Sequence, residues 1–184
     1  RDRSPSRGLG DVYKRQPNGP DVKKYTVRKG DSWIRMVRKL GCSQAMVVHL
    51  NGLMDIPALH AGDVFKYRPL DFHVVVNVPE KEICLYDGTD FVKGYPILSM
   101  KDGGKKNVET TVKDEQAPVS IYSRQFPSAD KTLVLAAGGY VIDAARGTPR
   151  SPGFYLSRQD CNELAMLTRP GTKVTILRGK GEEP

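Results

Sequence analysis

Three cysteines, three histidines and a serine make up the chemical inventory of this chain. Cys42, Cys84 and Cys161 are odd in number, widely spaced and without a Cys-x-x-Cys pair, so neither a disulfide framework nor a zinc-type ligand set can be read from them. His49, His60 and His73 share no ligand spacing with one another or with a cysteine, so no metal is assigned and no cofactor is expected. Ser151 carries a hydroxyl, yet every histidine lies at or before residue 73, and a serine without a base is a poor nucleophile at neutral pH. It opens the stretch SPGFYLS, which has the frame of a turn that presents a nucleophile and holds Phe154 in the reactive slot. A phenyl ring has no lone pair to donate and no proton to pass. Asp143 is a carboxylate at a strand end, a group more often solvated or hydrogen-bonded locally than basic in catalysis.

The elements that must position these residues fall into two groups. In KKYTVRKGDSW, Tyr25 and Val27 alternate as a short strand, Gly30 relaxes a turn, and Asp31 or Ser32 is placed to cap a helix. Trp33, Met36, Val37 and Leu40 then recur at helical spacing, which makes Trp33 read as core. Gly41 stops that helix, Ser43 caps a second with Met46, Val47 and Leu50 inward, and Asn51-Gly52 supplies a left-handed exit. Phe65 and Tyr67 share one face of a closing strand. The order is strand, helix, helix, strand over residues 25–69.

After a two-residue joint, Pro69-Leu70, residues 72–178 read as mostly β. Phe72, Val74, Val76 and Val78 alternate, Asp87-Gly88 marks a turn, and residues 92–98 form another strand. Further strands are expected at 119–122, 133–137, 140–142 and 173–177. One helix begins at Ser157, with Asp160 three positions on as in a capping box, and ends before Pro170-Gly171. Its stripe of Cys161, Leu164 and Ala165 turns the thiol inward, where burial makes it inert. The fold class is α+β: a small βααβ module followed by a mostly-β sandwich or barrel with one packed helix.

The first module resembles the LysM family on Tyr25, Val27, Gly30-Asp31-Ser32, the helix stripe, Asn51, Leu53, Leu59, Gly62, Phe65 and Tyr67. The resemblance implies a domain that binds N-acetylglucosamine-containing glycans, peptidoglycan in bacteria. It implies a shallow groove between Gly30, Asp31, Ser32 and Trp33 in one loop and Leu53, Met54, Asp55, Ile56 and Pro57 in another. Backbone amides and small apolar side chains there would meet acetamido groups and sugar faces.

Residues 72–178 resemble the L,D-transpeptidase, or YkuD-like, catalytic domain on ICLYDG, VKGYPILS, the serine-glycine turn, the capped helix and PGTKVTIL. Active relatives carry an Ile-His-Gly strand end and a Ser-His-Gly-Cys turn, whose thiolate attacks a stem-peptide carbonyl with loss of D-alanine. Here Asp143 stands for the first histidine, Pro152 for the second and Phe154 for the cysteine, the turn is one residue short, and Ser151 and Gly153 alone remain. The resemblance therefore implies a catalytically degenerate domain, with Phe154 plugging the cleft or offering a face to a substrate methyl. The competing expectation is an active transpeptidase working through a non-standard nucleophile such as Cys161.

Composition bounds these readings. The chain has 184 residues, 39% hydrophobic, and no apolar run long enough to span a bilayer. Its first 16 residues, with five basic and two acidic side chains, read as adapter-derived sequence ahead of a PNGP linker. Residues 1–24 are thus taken as a non-native or disordered leader, 179–184 as a tail, and a native export signal as missing. Setting those 16 residues aside lowers the formal charge from +8 to +5. That excess suits an anionic polymer, while the lack of aromatic-basic interleaving argues against nucleic acid. The expected setting is the bacterial cell envelope, with glycan strands and stem peptides as partners. Oligomeric state and any Cys42–Cys84 pairing are left open.

Overall fold

The computed structural model describes residues 21–179. The expected leader falls outside them up to residue 20, as does the tail from 180. β1 (Lys23–Thr26) begins inside the stretch assigned to the leader and pairs antiparallel with β2 (Val64–Tyr67). Between them lie α1 (Trp33–Leu40) and α2 (Gln44–Leu50). Gly41 closes α1 at a φ of 64°, the left-handed geometry that lets its N–H reach the last-turn carbonyls. Ser43 caps α2 by accepting from the Met46 N–H. Ser32 stands at the α1 cap position but its side chain caps nothing, because it accepts from the Arg35 guanidinium instead. Asn51 is not left-handed (φ −101°); Gly52 takes that role at 62°. The Asn51 amide bonds to the Val47 carbonyl and to both backbone groups of Lys66, strapping the end of α2 to β2.

The remaining strands are β3 (Phe72–Asn77), β4 (Glu82–Asp87), β5 (Asp90–Pro96), β6 (Ser99–Lys101), β7 (Val108–Gln116), β8 (Thr132–Leu135), β9 (Val141–Ala144), β10 (Gly153–Leu156) and β11 (Lys173–Leu177), with α3 (Arg158–Leu167) before the last. They form one sheet in the order β5-β4-β3-β11-β7-β8-β9-β10-β6. Nine strands laid flat would span about 38 Å. Yet the edge strands β5 and β6 are joined by Ile97 and Leu98 alone, a step of about 11 Å at most. The sheet must therefore curl until its edges meet: Ile97 donates to the Lys81 carbonyl on one side and Leu98 to that of Tyr155 on the other.

β7 makes the corner. Its first half pairs with β11 and its second with β8, and a bulge interrupts the second pairing between Val112 and Asp114. Leu133 and Leu135, two apart and both buried, face Glu115 and Val112, three apart. The extra residue resets the alternation, so Glu115 turns toward the inner side and Asp114 outward. Val74, Val76, Ile83, Leu85, Ile142 and Leu156 fill the inside, in one apolar core continuous with that of the first module.

Three expectations are corrected. Residues 119–122 are not a strand: Pro118 has no N–H for a ladder, and the Ser120 and Ser123 hydroxyls accept from the N–H groups of Tyr122 and Gln125, holding turns. SPGFYLS is not a nucleophile turn, since only Ser151 and Pro152 bend and Gly153 already belongs to β10. The joint at Leu70 is no spacer. Leu70 is buried, its N–H donates to the Gly41 carbonyl at 2.7 Å, and its own carbonyl accepts from Arg169 at 3.1 Å. Ser43 donates across to the Met166 carbonyl (2.8 Å) and Gln44 to that of Ile121 (3.3 Å), so α2 is bonded to both flanking segments of the second module.

Candidate functional site

Two places follow from the sequence, the paired loops of the first module and the strand end around Phe154. In the first, the structure brings the loops together through one bond, from the Trp33 indole N–H to the Pro57 carbonyl at 2.9 Å. The Trp33 ring leans on Phe65, centroids 5.0 Å apart, as a core residue would. Asp31 is a turn lock rather than a helix cap: its Oδ2 accepts from the Arg28 N–H and the Tyr25 hydroxyl, both at 2.8 Å. Those bonds, the backbone one first, hold its carboxyl below the usual range. Gly30 is exposed at a φ of 87°, with its carbonyl accepting from Arg35.

The second loop is divided in its roles. Met54 is 91% exposed, whereas Leu53 packs against the core and Ile56 is buried. The Ile56 N–H donates to the Arg124 carbonyl (3.1 Å) and the Ile56 carbonyl accepts from the Arg124 side chain (2.9 Å). The same guanidinium lies 3.8 Å from Asp55. The expectation that Ile56 offers backbone groups to a glycan is thereby corrected, because its donor is already bonded to the second module. What faces outward is Gly30 on one side and Met54 on the other, with Ser32, Asp55 and Pro57 half-buried.

The second place is apolar. Phe154 is fully buried in β10 between Ile142 and Met100, and its ring stacks on Tyr140 with centroids 5.8 Å apart and planes at 12°. Over Tyr140 lies the Arg178 guanidinium, which pairs with Asp102 at 2.8 Å, both side chains 4% exposed. The Tyr140 hydroxyl donates to Asp102 at 2.7 Å, and this bond raises the phenol's pKa. No face of the Phe154 ring is left open. Gly153 has a packing reason to be glycine: a Cβ there would stand 2.3 Å from the Val141 carbonyl oxygen. Ser151 and Pro152 are exposed, and the Ser151 carbonyl accepts from the Tyr155 hydroxyl. Asp143 accepts from the N–H of the next residue at 2.7 Å.

The thiols are inert by environment. Cys161 is fully buried, 3.2 Å from the Lys131 carbonyl and 3.9 Å from that of Ile142. Burial first, and the nearby Asp143 charge second, push its pKa up to about 12. Burial likewise lifts Cys42 to about 12, and no disulfide is formed among the described residues.

Sequence reasoning missed Glu115 and Lys131. Lys131 is 4% exposed, its ammonium bonded to the carbonyls of Phe126, Pro127 and Ala129 and held 4.5 Å above the Phe126 ring. The one available signal was a glutamate and a lysine beside apolar runs, too common to single out.

No protein-family profile matches the chain, and no curated protein matches it either. Among solved structures it is similar to Mycobacterium tuberculosis L,D-transpeptidase 1, at 7% identity and a TM-score of 0.44 over 62% of this chain and 66% of that one. An L,D-transpeptidase from Mycobacterium smegmatis gives 9% identity and 0.45 over 86% and 92%. That from Xylanimonas cellulosilytica gives 13% and 0.44 over 88% and 100%. Likeness of this order carries no activity across, because function lies in sites and not in folds. No helix among the described residues is long and apolar enough to cross a membrane.

Proposed function

We propose that this chain is a bacterial cell-envelope protein that holds peptidoglycan glycan strands with residues 25–69. In the same reading, residues 72–178 form an L,D-transpeptidase-like scaffold that has lost the reaction and offers its surface to stem peptides. The observation that carries the loss is Phe154, buried and stacked on Tyr140 where the turn would present a thiolate. The histidine of residues 72–178, His73, is stacked on Tyr86, and Cys161 is held protonated by burial. The glycan reading is supported by the LysM-like residues and by the Trp33–Pro57 bond, which draws the loops into one face with Gly30 and Met54 outward.

Sedimentation with purified insoluble peptidoglycan tests it. The intact chain should be retained and Met54→Glu retained several-fold less; a wild-type chain left in the supernatant would overturn the glycan assignment. Intact mass after exposure to a carbapenem tests the scaffold. The mass should stay unchanged, and a stable adduct on Cys161 would restore the active-enzyme alternative.

A further inference from the structure

Between α2, α3 and the 3-10 turn at Phe126–Ser128 lies a cavity of about 320 Å³, at the lower end of the range for small-molecule sites. Its walls are apolar: Ala45 from the first module, Phe126 and Ala129 from the turn, Ala165 and Met166 from α3. Exposed Ser128 lies at its rim. The polar groups that line it are rich in acceptors. Glu115 Oε1, brought inward by the β7 bulge, is buried without a hydrogen-bond partner. The Lys131 N–H groups are already bonded to three carbonyls, so its charge is held without a donor left for a ligand. Glu163 accepts from Lys93 at 2.6 Å and from the Tyr95 hydroxyl at 3.2 Å. An apolar sleeve ending in a carboxyl that feels the Lys131 charge but has no hydrogen bond to its Oε1 matches a short alkyl chain ending in a strong donor.

From this geometry we infer that the cavity is a binding site for a small aliphatic primary ammonium compound, whose nitrogen pairs with Glu115 and whose chain lies along Phe126, Ala165 and Met166. The site stands apart from the loops at Gly30 and Met54 and does not depend on the glycan reading. Its electrostatics give it a signature. Burial raises the Glu115 carboxyl to about 8, with Lys131 pulling down and Asp114 pushing up, so near neutral pH the free protein carries the neutral acid. A cation that pairs with the carboxylate must displace that proton. Glu163, engaged with Lys93, is the other carboxylate in the lining.

The test is calorimetric titration of the full chain at about pH 7 with n-butylammonium, 1-butanol and butyrate, in two buffers of different ionisation enthalpy. Saturable binding is expected for butylammonium alone, with release of about 0.9 proton. Glu115→Gln keeps the shape and should weaken binding about tenfold or more, the weight of one charge-assisted bond. Ala45→Leu narrows the cavity from the opposite wall and should abolish binding with the carboxyl intact; both variants are checked for native circular dichroism. Absence of saturable binding, equal binding of the neutral alcohol, or unchanged affinity in either folded variant would overturn the inference.

Discussion

Glu115→Gln should change how folding stability depends on pH, by an amount the structure sets. Burial lifts the carboxyl from 4.5 to about 8, so the fold holds the neutral acid. Stability attached to such a group is complete below about pH 4.5, declines as pH rises because the unfolded chain releases the proton first, and is gone above about pH 8. At 1.36 kcal/mol per pH unit the full shift corresponds to about 5 kcal/mol, and relaxation on ionisation reduces this to an expected ~2–4 kcal/mol. Lys131 runs the other way: burial first depresses its pKa, so its contribution is present above its ordinary 10.5 and lost as pH falls through the depressed value. Lys131 is present in both proteins, but the Glu115 charge raises its pKa, so the same comparison is also made in a Lys131→Met background. Urea unfolding of both from pH 5 to 9 should show the glutamine variant gaining ~2–4 kcal/mol relative to wild type between the ends. Parallel curves would refute the reasoning, since they would mean that Glu115 is ionised in the fold as in the unfolded chain.

Three further outcomes are expected. Phe154→Ala empties a fully buried ring site and should cost about 3–5 kcal/mol by urea unfolding, and a Tyr140→Leu/Phe154→Leu double-mutant cycle should return about 0.5–1.5 kcal/mol for the stack. Asn51→Ala removes three bonds to Val47 and Lys66 and should cost about 2–3 kcal/mol, with faster amide exchange at Lys66. Asp102→Asn removes the charge opposite Arg178, which keeps the Lys106 carbonyl and the Tyr140 ring, and should cost about 1–3 kcal/mol. Burial alone would raise the Asp102 pKa, but bonds from Arg178 and Tyr140 hold it below its ordinary 3.8, so wild type should lose this contribution only as pH falls below that value.

The parts of this fold that were legible in sequence are those whose periodicity is unbroken. The α1 stripe at Met36 and Val37, the Ser43 and Ser157 caps and the strand at 173–177 appear as the residues predict. β7, which the whole sheet turns on, was not legible. Lys113, Asp114, Glu115 and Gln116 are poor strand formers, and the bulge after Val112 breaks the alternation that would have marked them. Phe154 was singled out from sequence, but its surroundings were not. The Tyr140 stack joins residues 14 apart in the chain and the Arg178–Asp102 pair residues 76 apart. Arg124 on Ile56 was hidden for the same reason, and it decides which loop groups remain open to a ligand.

The bulge and the module contact belong to one arrangement. In a regular ladder through the same sequence Asp114 would lie opposite Leu133 and face the core; the bulge puts Glu115 there instead. α2 is held beside it by Ser43 on Met166 and Gln44 on Ile121, so Ala45 forms the cavity's near wall while Arg124, three residues beyond Ile121, holds the 53–57 loop. If the proposed glycan contact at Met54 holds, the 121–124 segment lies between it and the cavity, bonded to α2 through Gln44 on one side and to the 53–57 loop through Arg124 on the other. Energetic coupling between two such sites is reciprocal. If butylammonium tightens retention on peptidoglycan, glycan fragments must tighten butylammonium by the same factor, and the absence of any change in either direction would show that the 121–124 segment does not link the two sites.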